Sequence, residues 1–482
     1  MLIGLFGILL ALGLLILLAY RGWSVLLVAP AAALLAAAVS GEPLLASWTQ
    51  TFMAGAARFL AQFFPLFLLG AVFGRLMADS GSALAIAHGM TARLGRERAI
   101  LAVVLACALL TYGGVSLFVV AFAVAPVADA LFRQANIPRR LIPGTIALGA
   151  FTFTMTALPG TPAIQNAIPM PYFGTTPFAA PGIGILAAAI MLGIGLWWLR
   201  RAEAAARRAG EGYGGAARTE VDPGLVRERA TTTDHYDPAE APPPHDERDL
   251  PSFAVAAMPI GVVVLVNLLV TYAVLPRLDT GFLEEPRWGG TSIGAVGGVW
   301  AVVSALLAAI LAIVLANRAR LPKLRASMDA GANASVLPAF NTASQVGFGA
   351  VIAGLPAFAA VREALTGLGG GPLLSLAIAT NVLAGITGSA SGGLTIALEA
   401  LGASYAAMAA EQGIDPALMH RIAAIATGGL DSLPHNGAVI TLLAICGTTH
   451  RESYRDIFVV AILGPLLALG VVIAVGSLIG GF

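Results

Sequence analysis

Long apolar segments alternate with short polar ones along the whole chain, and they fall into two blocks. In the first block the apolar segments cover residues 2–19, 25–39, 59–74, 99–110, 117–131, 142–158 and 183–199, and in the second they cover residues 253–275, 293–315, 340–355, 373–386, 394–410, 422–433 and 458–479. Segments that are apolar on all sides are typical of helices surrounded by lipid. The pattern therefore predicts an all-α integral membrane protein.

The two blocks match segment for segment, and a polar connector at residues 200–250 separates them. Corresponding landmarks are Thr111 and Thr387, Pro138 and Pro416, and Pro159 and Pro434, at offsets of 276, 278 and 275 residues. Chance similarity of two hydrophobic halves is the alternative, but an internal repeat explains the shared order better. We predict a first transmembrane repeat at 1–199, a connector at 200–250 and a second repeat at 251–482.

The composition fits this class. The 482 residues are 58% hydrophobic and 11% charged, whereas soluble domains carry about 25% charged residues. The net charge of +1 argues against a nucleic-acid partner, and two cysteines cannot form a disulfide framework. No zinc-hydrolase, phosphate-loop or paired-cysteine motif occurs, and Ala390 stands where a nucleophile elbow needs serine. We therefore expect neither an enzyme nor a bound cofactor or metal.

Two adjacent segments of the first block are too short to cross a membrane singly, because a crossing takes about 20 apolar residues. Residues 99–110 and 117–131 are separated by the small and polar run 111–116. The flanking loops contain Arg93, Arg96, Arg98, Arg133, Arg139 and Arg140. Since basic loops stay in the cytoplasm, both ends of the pair belong on that side. We predict a re-entrant hairpin over 99–131.

The corresponding pair of the second block, residues 373–410, is interrupted at 387–393. The loop before it, around Gly369, has no basic residue. The loop one span earlier contains Arg318, Arg320, Lys323 and Arg325. We therefore predict that this hairpin enters from the opposite side, so that the two repeats are inverted. About ten full spans and two re-entrant hairpins place every basic loop on the cytoplasmic side. The connector is then cytoplasmic and the N-terminus periplasmic.

Inverted repeats with interrupted helices are the architecture of many secondary transporters, which bind substrate at the interruptions. Besides the two hairpins, the chain is interrupted at 159–162 and at 433–437. No Arg or Lys lies within the predicted hairpins or interrupted spans, so an anion would be bound by helix N-termini together with hydroxyl and amide groups. The predicted substrate-binding residues are Tyr112, Gly113, Gly114, Ser116, Thr161, Gln165, Asn166, Ser389, Ser391, Gly392 and Asn436. This set suits a small monoanion with hydroxyl groups.

Each of these features has a simpler explanation. Glycines in membrane helices often allow close packing, and prolines often only kink a helix. Ionisable groups at membrane depth are usually functional, and His435, Asp431 and Glu399 are the candidates for proton coupling. His435 comes first because histidine titrates near neutral pH, although a structural role is the alternative. Sodium is the alternative coupling ion, and a passive channel or a receptor is the alternative function.

Several runs of residues resemble the GntP gluconate:proton symporter family. They are 70–81 (GAVFGRLMADSG), 135–138 (ANIP), the proline and glycine break at 158–162, the pair His435-Asn436, and 447–449 (GTT). The resemblance covers nearly the whole chain outside the connector. It implies proton-coupled uptake of a carboxylate across the bacterial inner membrane by a homodimer, in which a scaffold holds an elevator-like transport domain.

One departure from the family concerns the first hairpin. Gluconate-type members tend to carry an acidic residue at its tip, where this chain has Tyr112-Gly113-Gly114. The resemblance is therefore closer to a branch associated with short hydroxy- or keto-acids. Gluconate and a short hydroxy-acid such as 3-hydroxybutyrate both remain candidate substrates.

Overall fold

The computed structural model of the protein describes residues 2–21, 23–214, 249–366, 370–434 and 436–482. Every element of regular structure within these ranges is helical, which confirms the all-α class. Residues 215–248 of the predicted connector lie outside the described residues, as does the predicted proton carrier His435.

The helices of the first half follow the order of its apolar segments. They are α1 (Leu2–Tyr20), α2 (Val25–Val39), α3 (Leu44–Ala46), α4 (Met53–Asp79), α5 (Ser82–Leu94), α6 (Ala99–Tyr112), α7 (Leu117–Gln134), α8 (Leu141–Ala150), α9 (Phe153–Thr156), α10 (Ile164–Ala167), α11 (Pro169–Phe173) and α12 (Pro181–Arg208). A π-helical turn, Ser47–Phe52, joins α3 to α4, and a 3₁₀ turn, Arg96–Arg98, precedes α6.

The second half contains eleven helices in the described residues. They are α13 (Phe253–Leu269), α14 (Ile293–Ala316), α15 (Leu324–Ala334), α16 (Val336–Gly354), α17 (Phe358–Thr366), α18 (Gly371–Thr387), α19 (Ala390–Glu411), α20 (Pro416–Ala426), α21 (Gly437–Cys446), α22 (His450–Phe458) and α23 (Gly464–Ile479). The π-helical turns are Val270–Val274 and Val459–Leu463, and the 3₁₀ turns are Leu275–Arg277, Gly281–Glu284, Pro286–Trp288 and Arg318–Arg320.

The long helices have the length and surface of membrane spans. In the described part of the chain, eight are long and apolar enough to cross a bilayer: Leu44–Asp79, Leu117–Gln134, Pro181–Arg208, Phe253–Arg277, Ile293–Ala316, Leu324–Gly354, Ala390–Glu411 and His450–Ile479. Large apolar side chains cover the outside, among them Leu2 (80% exposed), Trp197 (60%) and Leu478 (83%). Lipid stabilises such a surface, whereas water does not.

Two helix pairs correspond to the predicted hairpins. Helices α6 and α7 pack against each other across residues 113–116, which we name tip 1, and α18 and α19 pack across residues 388–389, named tip 2. Each tip contains a glycine in the left-handed region, Gly114 with φ of +92° and Gly388 with φ of +65°. Glycine adopts this conformation without steric cost, so these two positions allow the sharp reversals.

The predicted hairpin boundaries are wrong in two details. The second limbs are longer than predicted, with 18 residues in α7 and 22 in α19, so their length does not prevent a crossing. Helix α19 also begins early, because Ser389 accepts a hydrogen bond of 3.0 Å from the amide of Gly392 and so caps the helix. Ser391 and Gly392 therefore lie in the first turn of α19 and not in the tip.

Two further helices are interrupted in the interior, and both end earlier than predicted. Helix α8 ends at Ala150, so residues 151–163, which include the short α9, form what we name break 1. Helix α20 ends at Ala426, and the described residues from 427 to 436 form break 2. In break 1 the hydroxyls of Thr152 and Thr154 donate to the carbonyls of the preceding turn at 2.6 and 2.8 Å. Such bonds compete with the helical ladder and end the helix before the predicted proline.

Candidate functional site

The two tips and the two breaks lie together in the interior of the protein. Tyr112, the last residue of α6, donates a hydrogen bond of 2.8 Å to a carbonyl of break 1. Asn436 at the end of break 2 donates one of 2.6 Å to the carbonyl of Gly388 in tip 2. The breaks also touch, because a β-carbon on Gly428 would lie 3.2 Å from the side chain of Thr156. The segments that were predicted to form one site are therefore connected in the order tip 1, break 1, break 2, tip 2.

Three successive carbonyls of break 1 are bonded by three different helices. The carbonyls at positions 159, 160 and 161 accept, in order, from Tyr112 Oη (2.8 Å), Asn267 Nδ2 (2.9 Å) and Asn166 Nδ2 (2.9 Å). Irregular backbone at membrane depth needs such partners, since an unsatisfied carbonyl there is costly. Asn267 was missed by the sequence analysis, although a single amide within the apolar segment 253–275 was a usable signal.

Break 2 is bonded in a similar way, but by neighbours of the same half. The carbonyls at positions 431, 432 and 434 accept from Asn436 Nδ2, from Tyr454 Oη at 3.1 Å and from His450 Nε2 at 2.8 Å. Asn436 also caps α21, because its Oδ1 accepts from the amide of Ala438 at 2.6 Å. The predicted ligand residue Asn436 therefore fixes the shape of both break 2 and tip 2.

The two predicted amides of break 1 have different environments. Asn166 is fully buried, and its Nδ2 donates to the carbonyls of Thr161 and Pro177 at 2.9 and 3.0 Å. Its Oδ1 lies 3.0 Å from Arg421 Nη1 and 3.2 Å from His420 Nε2, so the amide has no capacity left for a ligand in this conformation. Neighbouring Gln165 is 5% exposed, and its side chain makes no hydrogen bond within the described part of the chain.

The predicted glycines are sites of close contact. A β-carbon would lie 2.7 Å from Ile260 at Gly113, 2.7 Å from Pro162 at Gly114, and 1.3 Å from the side chain of Gln345 at Gly392. The hydroxyls of Ser389 and Ser391 lie 3.4 Å apart, and Ser116 occupies the N-cap of α7. The glycines therefore let neighbouring helices reach the tips, while the serines place hydroxyls at the two helix N-termini.

Two buried residues of α20, His420 and Arg421, belong to the candidate site although neither was predicted as a site residue. The predicted span starts at residue 422, one residue after Arg421, so no cation is predicted within the interrupted helices and no role is predicted for His420. This is wrong, because α20 begins at Pro416 and Asp415 is its N-cap, which places both side chains inside the helix and fully buried. An Asp-Pro pair is a recognised start signal for a helix, and it would have located them.

The three residues predicted to carry the proton differ in exposure and in bonding partners. The carboxylate of Glu399 lies 3.3 Å from the guanidinium of Arg58, whose side chain is 67% exposed. It also accepts a hydrogen bond of 2.9 Å from Tyr172 Oη. Asp431 is 6% exposed; its carboxylate accepts from Ser432 Oγ at 3.1 Å, and no Arg or Lys of the described residues forms an ion pair with it. The third, His435, lies outside the described residues.

A separate charged cluster lies at the base of α7 and α8. Arg140 pairs with Glu211 at 2.8 Å and with buried Asp456 at 3.1 Å. The hydroxyl of Tyr213 donates to Asp129, and burial together with this hydrogen bond raises the pKa of Tyr213. The cluster joins the end of the first hairpin to the described first part of the connector.

The chain is similar to known permeases and transporters. Residues 1–192 match the model of the GntP family permeases. The chain is 43% identical over 479 residues to the uncharacterized transporter YxjC of Bacillus subtilis (strain 168), covering 98% of each protein. Among solved structures, the YdaH transporter of Alcanivorax borkumensis, described as having an unusual topology, gives a TM-score of 0.47 at 14% identity over 90% of this chain and 88% of that one.

Proposed function

The chain belongs to the GntP family of permeases, and from this premise we propose that it is a secondary active transporter which takes up a small organic monocarboxylate together with a proton. That it is a multi-pass membrane transporter follows from its family and its spans. The substrate, the coupling ion and the mechanism are the proposed part. The observation that carries the coupling is the environment of Asp431.

Asp431 is a buried carboxyl in break 2 without a cation partner among the described residues. A carboxylate in such a place is costly when charged, so it favours taking up a proton. Asn436 bonds to the carbonyl of Asp431 and to tip 2, so a change of charge at position 431 would act directly on the substrate site. Glu399 is a weaker candidate, because Arg58 and Tyr172 already bind its carboxylate. His435 stays a second candidate.

The substrate binds, in this proposal, between the two tips and the two breaks. The N-termini of α7 and α19 direct backbone N–H groups toward an anion. Thr161, Gln165 and Ser391 are buried polar side chains of the same region, and they suit the hydroxyl groups of gluconate or 3-hydroxybutyrate. Asn166 and Asn436 hold the backbone that surrounds the ligand.

We also propose the arrangement in the membrane that the sequence pattern predicts, with two inverted repeats and two re-entrant hairpins in the bacterial inner membrane. Both described ends of the connector support a cytoplasmic location, because each lies at a basic loop. Arg320 donates to the carbonyl of Asp249 at 2.9 Å, and Tyr213 N donates to Asn136 at 3.0 Å. Basic loops stay in the cytoplasm, which leaves the N-terminus periplasmic. A homodimer with an elevator-like movement is what the family resemblance implies.

The test is uptake of labelled gluconate and labelled 3-hydroxybutyrate into proteoliposomes with an inward proton gradient and no sodium. We expect one acid to accumulate in protein-containing vesicles, and a protonophore to abolish the accumulation. Counterflow exchange separates a carrier from a passive channel or a receptor, because neither of these exchanges substrate. Folded protein that transports neither acid would refute the proposed substrate class.

Sodium is the second candidate for the coupling ion. The observation in its favour is Asn381, whose Oδ1 is buried and has no hydrogen-bond partner in the described residues. This oxygen faces break 2, since a β-carbon on Gly429 would lie 2.1 Å from it. Amide and carbonyl oxygens are suitable ligands for a hard cation. Uptake that requires sodium, is lost in Asn381→Ala and does not respond to a protonophore would replace the proton by sodium in the proposal.

A further inference from the structure

Arg421 is the one fully buried arginine of the described residues, and it differs in its partners from the arginines that are partly buried. Arg75, Arg139 and Arg140 each pair with a carboxylate, at 2.9, 3.3 and 2.8 Å. Arg421 is fully buried and has no carboxylate partner among the described residues. We propose that Arg421 is an entry receptor, to which the carboxylate of the substrate binds from the cavity beside the loop 174–180 before the substrate passes to the site between the tips. This inference rests on the proposed function in one respect, namely that the substrate is an organic anion.

Neutral oxygens hold the guanidinium of Arg421. Nε donates to Ala179 O at 2.9 Å, Nη2 to Ala179 O at 2.8 Å and to Pro177 O at 3.3 Å, and Nη1 to Asn166 Oδ1 at 3.0 Å. Four of its five N–H groups thus have an acceptor, and the second hydrogen on Nη1 has none in the described structure. A carboxylate is a stronger acceptor for this planar fork than two carbonyls are, because its bonds are charge-assisted and bidentate.

The charge of Arg421 is not balanced nearby. Its titratable neighbours in the described residues are His420, whose ring lies 3.2 Å from the same Asn166 Oδ1, and the phenol of Tyr112 beside tip 1. A cation buried without a counter-ion is costly. A bound anion would offset this free-energy cost. A ligand that carries one negative charge would therefore stabilise the site most.

A cavity of about 450 Å³ borders the loop whose carbonyl oxygens hold Arg421, and Arg421 itself does not line it. The loop 174–180 forms one wall, and Ala179 both lines the cavity and accepts two hydrogen bonds from Arg421. Ala180 has φ of +39°, a strained value for a residue other than glycine, and such strain is common in segments that move. Asp415 at the mouth is engaged as the N-cap of α20. The loop carbonyls therefore occupy Arg421 until a carboxylate replaces them.

The position of Arg421 also connects the carboxylate to break 1. Nη1 bonds to Asn166, and Asn166 bonds through Nδ2 to the carbonyl of Thr161. Withdrawal of the guanidinium toward a ligand would release one of the acceptor bonds that hold this amide. Binding at the surface side of the loop would in this way loosen or reset the backbone of break 1, which borders the predicted substrate site.

The test is ligand-induced thermal stabilisation of the purified full chain in detergent, without any ion gradient. The probes are gluconate and 3-hydroxybutyrate, each paired with its uncharged amide. A ligand that binds the folded state raises the melting temperature. We expect the wild type to respond to one acid and not to the amide of that acid. Arg421→Gln should lose the response, and Arg421→Lys should need about tenfold more acid, because lysine keeps the charge but not the fork.

A second pair of variants keeps the test decisive if Arg421→Gln does not fold. Asn166→Asp places a carboxylate against Arg421, and Asn166→Ala loses the same amide donors without adding charge. We expect the aspartate variant to need at least about tenfold more acid than the alanine variant, since its own carboxylate occupies the guanidinium. Arg325→Gln is the matched control for loss of an arginine, because that side chain is 96% exposed, and it should respond as the wild type does.

The outcomes separate this inference from the proposed function. If acid raised the melting temperature equally in the wild type, in Arg421→Lys and in both Asn166 variants, the role of Arg421 would be overturned. The proposed substrate class, a small organic monocarboxylate, would be unaffected. An equal response to acid and amide would do the same. A wild type that responds to neither acid would overturn the proposed substrate class and the receptor together. Coupling to protons is not involved in any of these measurements.

Discussion

The two interrupted helices are braced alike but charged differently. In each break three backbone carbonyls are bonded by side chains, from Tyr112, Asn267 and Asn166 in break 1 and from Asn436, Tyr454 and His450 in break 2. Break 1 borders a buried arginine that has no acid, whereas break 2 contains a buried acid that has no arginine or lysine partner in the described chain. The two breaks therefore differ in the sign of the buried charged group that each one contains or borders.

This difference suggests a division of labour between the breaks. The surplus cation at break 1 is suited to an anionic substrate, and the surplus carboxyl at break 2 is suited to a proton. The two breaks are in contact at Gly428 and Thr156. A conformational change in one break would therefore affect the other. A direct ion pair between Arg421 and Asp431 would cancel both functions. Their separation within α20 and break 2 is thus a requirement of the proposed mechanism.

The largest effect is expected from Asp431→Asn. This change keeps the size of the side chain and the contact with Ser432, but it removes the titrating group. Proton-driven accumulation in proteoliposomes should disappear, so that internal and external acid concentrations become equal, while counterflow exchange continues. Retention of gradient-driven accumulation would show that the proton binds elsewhere, and His435→Gln would then be the variant to measure.

The next largest effect is expected from Asn267→Leu, which tests the bracing of break 1. The change keeps the branched shape and the number of side-chain heavy atoms but leaves the carbonyl of Gly160 without its donor at 2.9 Å. A buried carbonyl without a partner costs about 1–3 kcal/mol, and thermal denaturation in detergent should show a corresponding loss. Tyr454→Phe is the matched change at break 2. It should cost less, about 0.5–1.5 kcal/mol, because Tyr454 is only half-buried and its bond is longer. Equal losses would mean that the two breaks are braced equally well.

A smaller effect on binding is expected from Gln165→Leu. Gln165 is a buried amide that makes no side-chain hydrogen bond within the described residues, so its loss should leave stability unchanged. Loss of one hydrogen bond to the ligand should raise the half-saturating concentration about tenfold. Thr91→Val is a useful control, since Thr91 donates to the carbonyl of His88 at 2.9 Å in α5, outside the tips and the breaks. An unchanged affinity in Gln165→Leu would move the substrate away from break 1.

The sequence was sufficient for the helices but not for the centre of the site. Apolar runs located most of the long helices, although eight described segments are long enough to cross a bilayer where about ten full spans were predicted. The small residues around Gly114 and Gly388 located both tips. The ends of the interrupted helices were placed late, because threonine hydroxyls and not prolines end α8. Arg421 was missed because hydropathy alone marks where a span becomes apolar and not where its helix begins. Asn267 was missed because its partner, the carbonyl of Gly160, is 107 residues away.

The smallest effect is expected from Glu399→Gln, and it distinguishes the two described acids. Glu399 pairs with Arg58 at the periphery, where the arginine side chain is 67% exposed, and such ion pairs contribute about 0–1 kcal/mol. The residue also lies eight positions beyond Ser391 in α19, about 12 Å along the helix, so it is remote from tip 2. Stability and proton-driven accumulation should both stay close to the wild type. If Glu399→Gln instead abolished accumulation while Asp431→Asn preserved it, the proton would travel on the periphery of α19. The contrast between the two breaks would then reflect substrate binding alone.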